Sequence, residues 1–191
     1  MKLTTLDALL LFLVSHKGQS GYDIRQLFQT TPIGLFSDSP GAIYPALNRL
    51  EMRGLLAGET TPGGRRRRAF NRTAEGDRAL DAWLTAPIDP DAFTRRPQDL
   101  DLRYVMMAER LGRPAALAFL ADYAAIHSRK LAALEAFVAG PGAQMSRAPR
   151  EALDLGLRLS RTRQQWCQDL LSSREGETDG NEDKNQPRAR A

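Results

Sequence analysis

Ser39-Pro40-Gly41-Ala42-Ile43-Tyr44-Pro45-Ala46-Leu47-Asn48-Arg49-Leu50-Glu51-Met52-Arg53-Gly54-Leu55-Leu56 is the stretch on which the fold turns. Ser39 is an N-cap residue, and Pro40 follows at the first helical position, where a missing N–H is tolerated. Ile43, Leu47 and Leu50 then recur at i, i+4 and i+7, which is one buried stripe. Tyr44, Asn48 and Arg49 fall on the other side, Arg53 sits in the last turn, and Gly54 supplies the C′ stop. Pro45 interrupts the pattern, because a proline inside a helix deletes a backbone hydrogen bond. Either the helix kinks there or its first turn is irregular.

Leu55–Thr61 reads as a strand, Pro62-Gly63-Gly64 as a tight turn, and Arg65–Arg72 as the return strand anchored by Phe70. Thr73 then caps a helix from Ala74 to about Leu84 that packs Leu80, Trp83 and Leu84. On the other side, Ser20-Gly21 opens a short helix, Tyr22–Phe28, with Ile24, Leu27 and Phe28 on one face and Thr30-Thr31-Pro32 as its stop. Thr4 to about Val14 reads as a helix with Leu6, Leu9, Leu10 and Leu13 on one face. Its apolar run resembles a secretory signal superficially, but it is short, bordered by Asp7 and followed by no small-residue cleavage site. Three helices, a β-hairpin and a further helix form the order of a winged helix-turn-helix.

Pro87, Asp89-Pro90 and Pro97 mark a linker, after which the texture turns all-helical. Asp99–Leu111 is one helix, broken by Gly112-Arg113-Pro114. From Pro114 to Ala139, the residues Leu117, Leu120, Ala124, His127, Leu131, Leu134 and Val138 are spaced 3-4-3-4-3-4, an a/d seam. The seam suits dimerisation, with packing against the final helix as the alternative. His127 within it reads as a neutral, hydrogen-bonded core histidine. Gly140-Pro141-Gly142 ends this helix, and the final one, about Ala148 to Ser172, carries Leu155, Leu159, Trp166 and Leu170. The expected organisation is mainly α. A winged helix-turn-helix domain spans 1–84, a linker 85–98, an all-helical dimerisation domain 99–172 and a disordered tail 173–191.

Lys and Arg number 27 against 23 Asp and Glu, a net charge of +4. The first 80 residues hold that whole excess, with eleven basic and seven acidic side chains, and Glu59–Arg72 alone has five Arg against one Glu. An excess so confined reads as an electrostatic contact surface. One cysteine (Cys167) and two histidines (His16, His127) exclude a disulfide framework and zinc-finger spacing, so no metal and a cytoplasmic location are expected. No stretch approaches the ~20 apolar residues of a membrane span, so no membrane partner is expected. There is no G-x-x-x-x-G-K-[ST], G-x-G-x-x-G or H-E-x-x-H motif, and Asp99 and Asp101 suit a helix's first turn better than an acid pair. No enzyme, catalytic residue or cofactor is predicted.

A helix whose polar face begins at its N-terminus suits the major groove, where its first residues reach base edges. Those residues are Ser39, Gly41, Tyr44, Asn48 and Arg49, although Asn48 and Arg49 would also serve as solvated positions. Asn pairs with adenine and Arg with guanine there. Gly64 and the run Arg65-Arg66-Arg67-Arg68 at the hairpin turn fit a wing laid on phosphate or in a minor groove. Double-stranded DNA is the expected partner. The alternatives are a protein–protein module using the basic wing on an acidic partner, and RNA binding.

The segment Ser39–Leu56, with Ser20-Gly21-Tyr22-Asp23-Ile24 before it and Thr73-Ala74-Glu75-Gly76 after the wing, resembles PadR-type transcriptional regulators over roughly residues 4–84. That family tolerates a proline at the place of Pro45 in its third helix, which puts Pro45 among the site residues. Two features depart from the pattern: Arg72, where the family has an aliphatic residue, and the dense arginine wing. The helical half resembles the larger branch, with a C-terminal domain like that of virulence-activator-alpha regulators. The resemblance implies a homodimeric repressor on an inverted repeat, held together by its long C-terminal helices with Trp166 among the contacts. It also implies a small aromatic effector between domains or subunits, near Trp83, Phe93, Tyr104, Tyr123 and Trp166.

Overall fold

The computed structural model describes residues 2–14, 18–30, 40–60, 68–89 and 96–173. Ser39, Gly64, Arg65, Arg66, Arg67, Phe93 and the tail from residue 174 lie outside them. The chain divides into two compact units, Met1–Leu111 and Gly112–Ala191.

In the first unit, helix α1 (Thr5–Leu13) opens with a capping box. The Thr4 hydroxyl accepts from the Asp7 amide at 3.1 Å, and the Asp7 carboxylate accepts from the Thr4 amide at 3.0 Å. A two-residue strand, β1 (Gln19–Ser20), leads into α2 (Gly21–Thr30). A 3-10 turn, Pro40–Ala42, then precedes α3 (Ile43–Met52). This resolves the two readings of Pro45. The irregular segment is the entry, and the α-helix proper starts only at Ile43. Pro45 is therefore the third helical residue, where no intrahelical acceptor exists for the missing N–H. The other end closes on Gly54, with φ +70, and Leu55 N donates to Leu50 O at 3.0 Å. That bond belongs to a Schellman-type stop, and glycine meets its left-handed position without a Cβ penalty.

Strands β2 (Leu56–Thr60) and β3 (Arg68–Arg72) pair antiparallel with Gly58 opposite Phe70 and Thr60 opposite Arg68. β1 adds to the free edge of β3, so the sheet order is β1-β3-β2. Nothing in the local pattern signals β1, because two residues show no alternation. Thr73 caps α4 (Ala74–Thr85), accepting from Gly76 N at 3.0 Å. The core beneath is Leu9, Leu10, Leu11, Ile24, Ile43, Leu47, Leu50, Leu56, Leu80 and Leu84, all at or below 2 % exposure. The stripe Ile43, Leu47 and Leu50 is thus the face that α3 buries. These elements form a winged helix fold.

Helix α5 (Pro97–Leu111), expected to open the helical half, packs with the first unit instead. Arg103 explains why. Its buried guanidinium donates to Leu84 O (2.9 Å from Nε) and to Ala86 O, covering carbonyls that α4 leaves unpaired at its C-terminus. It also sits 5.5 Å from the Trp83 ring centroid. Burial lowers the Arg103 pKa to about 10.

The second unit is an antiparallel pair, α6 (Arg113–Ala139) and α7 (Arg147–Ser172). His127 Nε2 donates to Ser160 O at 2.8 Å, and Arg161 Nη2 bonds Glu135 at 2.8 Å. Leu117, Leu120, Ala124 and His127 are buried within the chain, so they leave little surface for another subunit. For these four, the expectation of a dimer contact gives way to intramolecular packing. Leu131, Leu134, Val138 and Trp166 are half-buried. Leu155 and Leu159 are each 59 % exposed, and with Ala148 and Ala152 they make an exposed 4-3-4 stripe on α7. Among the described residues, no helix is long and apolar enough to cross a membrane.

Candidate nucleic-acid interface

Helices α2 and α3 make the helix-turn-helix. Ser20 and Asp23 form a reciprocal box at the start of α2: Ser20 N donates to Asp23 Oδ2 at 3.1 Å, and Asp23 N to Ser20 Oγ at 3.3 Å. Gly21 comes next because Tyr44 lies on it. A Cβ there would fall 2.6 Å from Tyr44 Cε1. The contact sets the Tyr44 ring at the α2–α3 junction while leaving the residue 45 % exposed. Gly41, Pro45 and Asn48 are exposed on the same side of the motif.

Arg49 behaves differently. Its Nη2 donates to Asp7 Oδ1, and Asp7 is almost fully buried. A buried carboxylate needs a countercharge, and Arg49 is held to α1 to supply it. Asn48 and Tyr44 remain as the solvent-facing polar side chains expected to read bases. Local spacing gives no sign of the Asp7–Arg49 pair. The usable clue is Asp7 itself, a carboxylate set in an otherwise apolar helix.

Of the four wing arginines, Arg68 alone lies among the described residues. Its Nη2 donates to Glu51 Oε1 at 2.6 Å, and its guanidinium carbon sits 5.6 Å from the Phe70 ring centroid. Arg72 has a structural task. It donates to Leu11 O at 2.6 Å, at the end of α1, and to Asp77 Oδ1 at 2.6 Å. Arg110 reaches the same Asp77 oxygen at 2.9 Å and Asp81 Oδ2 at 3.0 Å. Burial works to raise the Asp77 pKa, but the hydrogen bonds and charges of Arg72 and Arg110 outweigh it and hold the carboxyl below its ordinary 3.8. The Asp81 hydrogen bond leads the effects that raise the Arg110 pKa. Residues far apart in sequence make most of these pairs, which is why local patterns did not reveal them.

Of the aromatic residues expected near an effector, Trp83 lines a cleft of about 280 Å3 in the first unit, together with Lys2, Arg96, Asp99 and Arg103. Tyr104 and Trp166 are half-buried, and Tyr123 is fully buried, 6.3 Å from the Phe119 ring centroid. Among the described residues, no group of three or more His, Cys, Asp or Glu side chains could hold a metal ion.

Residues 10–82 match the family model described as "Transcriptional regulator PadR-like family". Similar solved structures include Bacillus subtilis PadR in complex with operator DNA, at 23% identity and a TM-score of 0.41, covering 88% of this chain and 98% of that one. A PadR-like transcriptional regulator from Bacillus cereus is 20% identical with a TM-score of 0.39, covering 91% and 99%. Bacillus subtilis PadR in complex with p-coumaric acid is 22% identical with a TM-score of 0.40, covering 90% and 99%. No curated protein matches the chain.

Proposed function

We propose that this chain, whose residues 10–82 match the PadR-like family model, binds double-stranded DNA as a homodimer and represses transcription from an inverted-repeat operator. The observation that carries the reading is the exposed face of Gly41, Tyr44, Pro45 and Asn48, set beside a hairpin that leads into the arginine run. With α3 in the major groove, Asn48 and Tyr44 supply sequence preference. Arg65, Arg66 and Arg67 supply phosphate contacts. Two copies related by a two-fold axis place two recognition helices in successive grooves, about 34 Å apart. The exposed α7 stripe of Ala148, Ala152, Leu155 and Leu159 supports pairing through the second unit. A small aromatic acid would meet in the cleft the Trp83 ring and Arg103, with Lys2 and Arg96 already paired to Asp89 and Asp99.

The test is fluorescence anisotropy on the duplex upstream of the chain's own gene, titrated with salt and challenged with competitor RNA. Salt-dependent binding that survives RNA and prefers this duplex over a scrambled one is expected. Binding lost to RNA, or absent altogether, sinks the reading. Asn48→Ala should relax discrimination at one base position per half-site, and an unchanged specificity profile would remove it from the readout.

A further inference from the structure

We infer that Glu51 is a positioning residue of the DNA site, bracing the wing against α3 through Arg68 and keeping Arg68 off the phosphates. The inference rests on the DNA reading above. One carboxylate oxygen, Glu51 Oε1, accepts from the backbone amide of Gly58 on β2 at 3.1 Å and from Arg68 Nη2 on β3 at 2.6 Å. Both wing strands are thus tied to the last turn of the recognition helix through a single atom.

The space for this joint exists because residue 58 has no side chain. A Cβ there would lie 2.4 Å from Glu51 Oε1 and 2.7 Å from Arg68 Nε. Phe70, directly opposite Gly58 in the ladder and buried, gives the Arg68 guanidinium an aromatic surface to lie on. Arg68 directly follows Arg67 in the sequence, so the brace acts at the described residue nearest the remaining arginines.

An ion pair whose side chains are 21 % and 51 % exposed contributes little to folding. Its effect is geometric. It sets the angle at which the wing leaves α3, and it neutralises one charge that a count of the run would assign to DNA.

The variants Arg68→Ala, Glu51→Gln, the two combined, and Arg65→Ala with Arg66→Ala are compared by salt-titrated anisotropy on the upstream and scrambled duplexes. Each lost phosphate contact flattens the log–log salt slope by about 0.9. Removing Arg65 and Arg66 should flatten it by about that amount per residue, whereas Arg68→Ala should leave it at the parent value. Glu51→Gln should steepen the slope by about 0.9, because the neutral amide leaves the Arg68 charge uncompensated and available to a phosphate, and should lower the preference for the upstream duplex. The combined variant should lose the extra slope but keep the reduced preference.

Flattening by Arg68→Ala as large as that of one tip arginine overturns the inference, as does a Glu51→Gln protein with the parent's slope and preference. A parent that binds no duplex overturns the DNA reading and the inference with it.

Discussion

The two units use their charges differently. In the first, beside the local pairs Arg78–Glu75 and Arg96–Asp99, the partly buried ion pairs join residues distant in sequence: Arg49 to Asp7, Arg68 to Glu51, and Arg110 to Asp77, which the nearer Arg72 shares. In the second, Arg161–Glu135 ties the two helices together, while Arg147–Glu151 and Arg158–Asp154 are i,i+4 pairs on exposed helix surface. The first kind closes a fold, and the second decorates one. The difference teaches that a local excess of arginine overstates the charge offered to a partner. Arg49, Arg68 and Arg72 all lie near the proposed interface, and each is engaged inside the domain.

The largest expected effect tests the second unit's role. Leu155→Glu with Leu159→Glu should weaken the proposed dimer by roughly 5 kcal/mol, since each leucine buried at an interface contributes about 1.5–3 kcal/mol. Sedimentation should then show monomer with unchanged helix content, and a persisting dimer would place the interface elsewhere. Next, Asp77→Ala removes the shared partner of Arg72 and Arg110, whose side chains are 10% and 18% exposed. It should destabilise the first unit by about 3 kcal/mol in denaturant unfolding.

The acid response of that carboxylate is smaller. Because the folded pKa of Asp77 lies below 3.8, its contribution is present above the unfolded value and fades as pH falls through the folded one. The stability gap between parent and Asp77→Asn should therefore hold steady near neutral pH and narrow below about pH 4. A gap independent of pH down to acid unfolding would contradict the ionic account. Smallest of all, Asp154→Ala should change stability by no more than about 0.5 kcal/mol. A loss matching that of Asp77→Ala would erase the contrast between the units.

The parts legible in the sequence were those set by near neighbours. The stripe Ile43-Leu47-Leu50, the Gly54 stop and the Thr73 cap each depend on residues within a few positions, and each stands in the fold as read. What stayed hidden depends on distance. Asp7 and Arg49 are 42 residues apart, and Arg72 reaches a carbonyl 61 residues back. The heptad seam showed a related limit, because spacing reports that a face is apolar but not which helix covers it. Leu117 and Leu120 are covered within the chain, while Leu155 and Leu159, equally periodic, are bare.

Pro45 has one more consequence, and it concerns entropy. A proline whose native backbone suits its ring narrows the unfolded ensemble, which is worth about 0.4–1 kcal/mol at a compatible site. Placed third in α3, just after the Pro40–Ala42 turn, it restricts the leading end of the helix before any partner arrives. Association there needs little further ordering of the backbone, so the heat-capacity change on binding should reflect buried surface and not coupled folding.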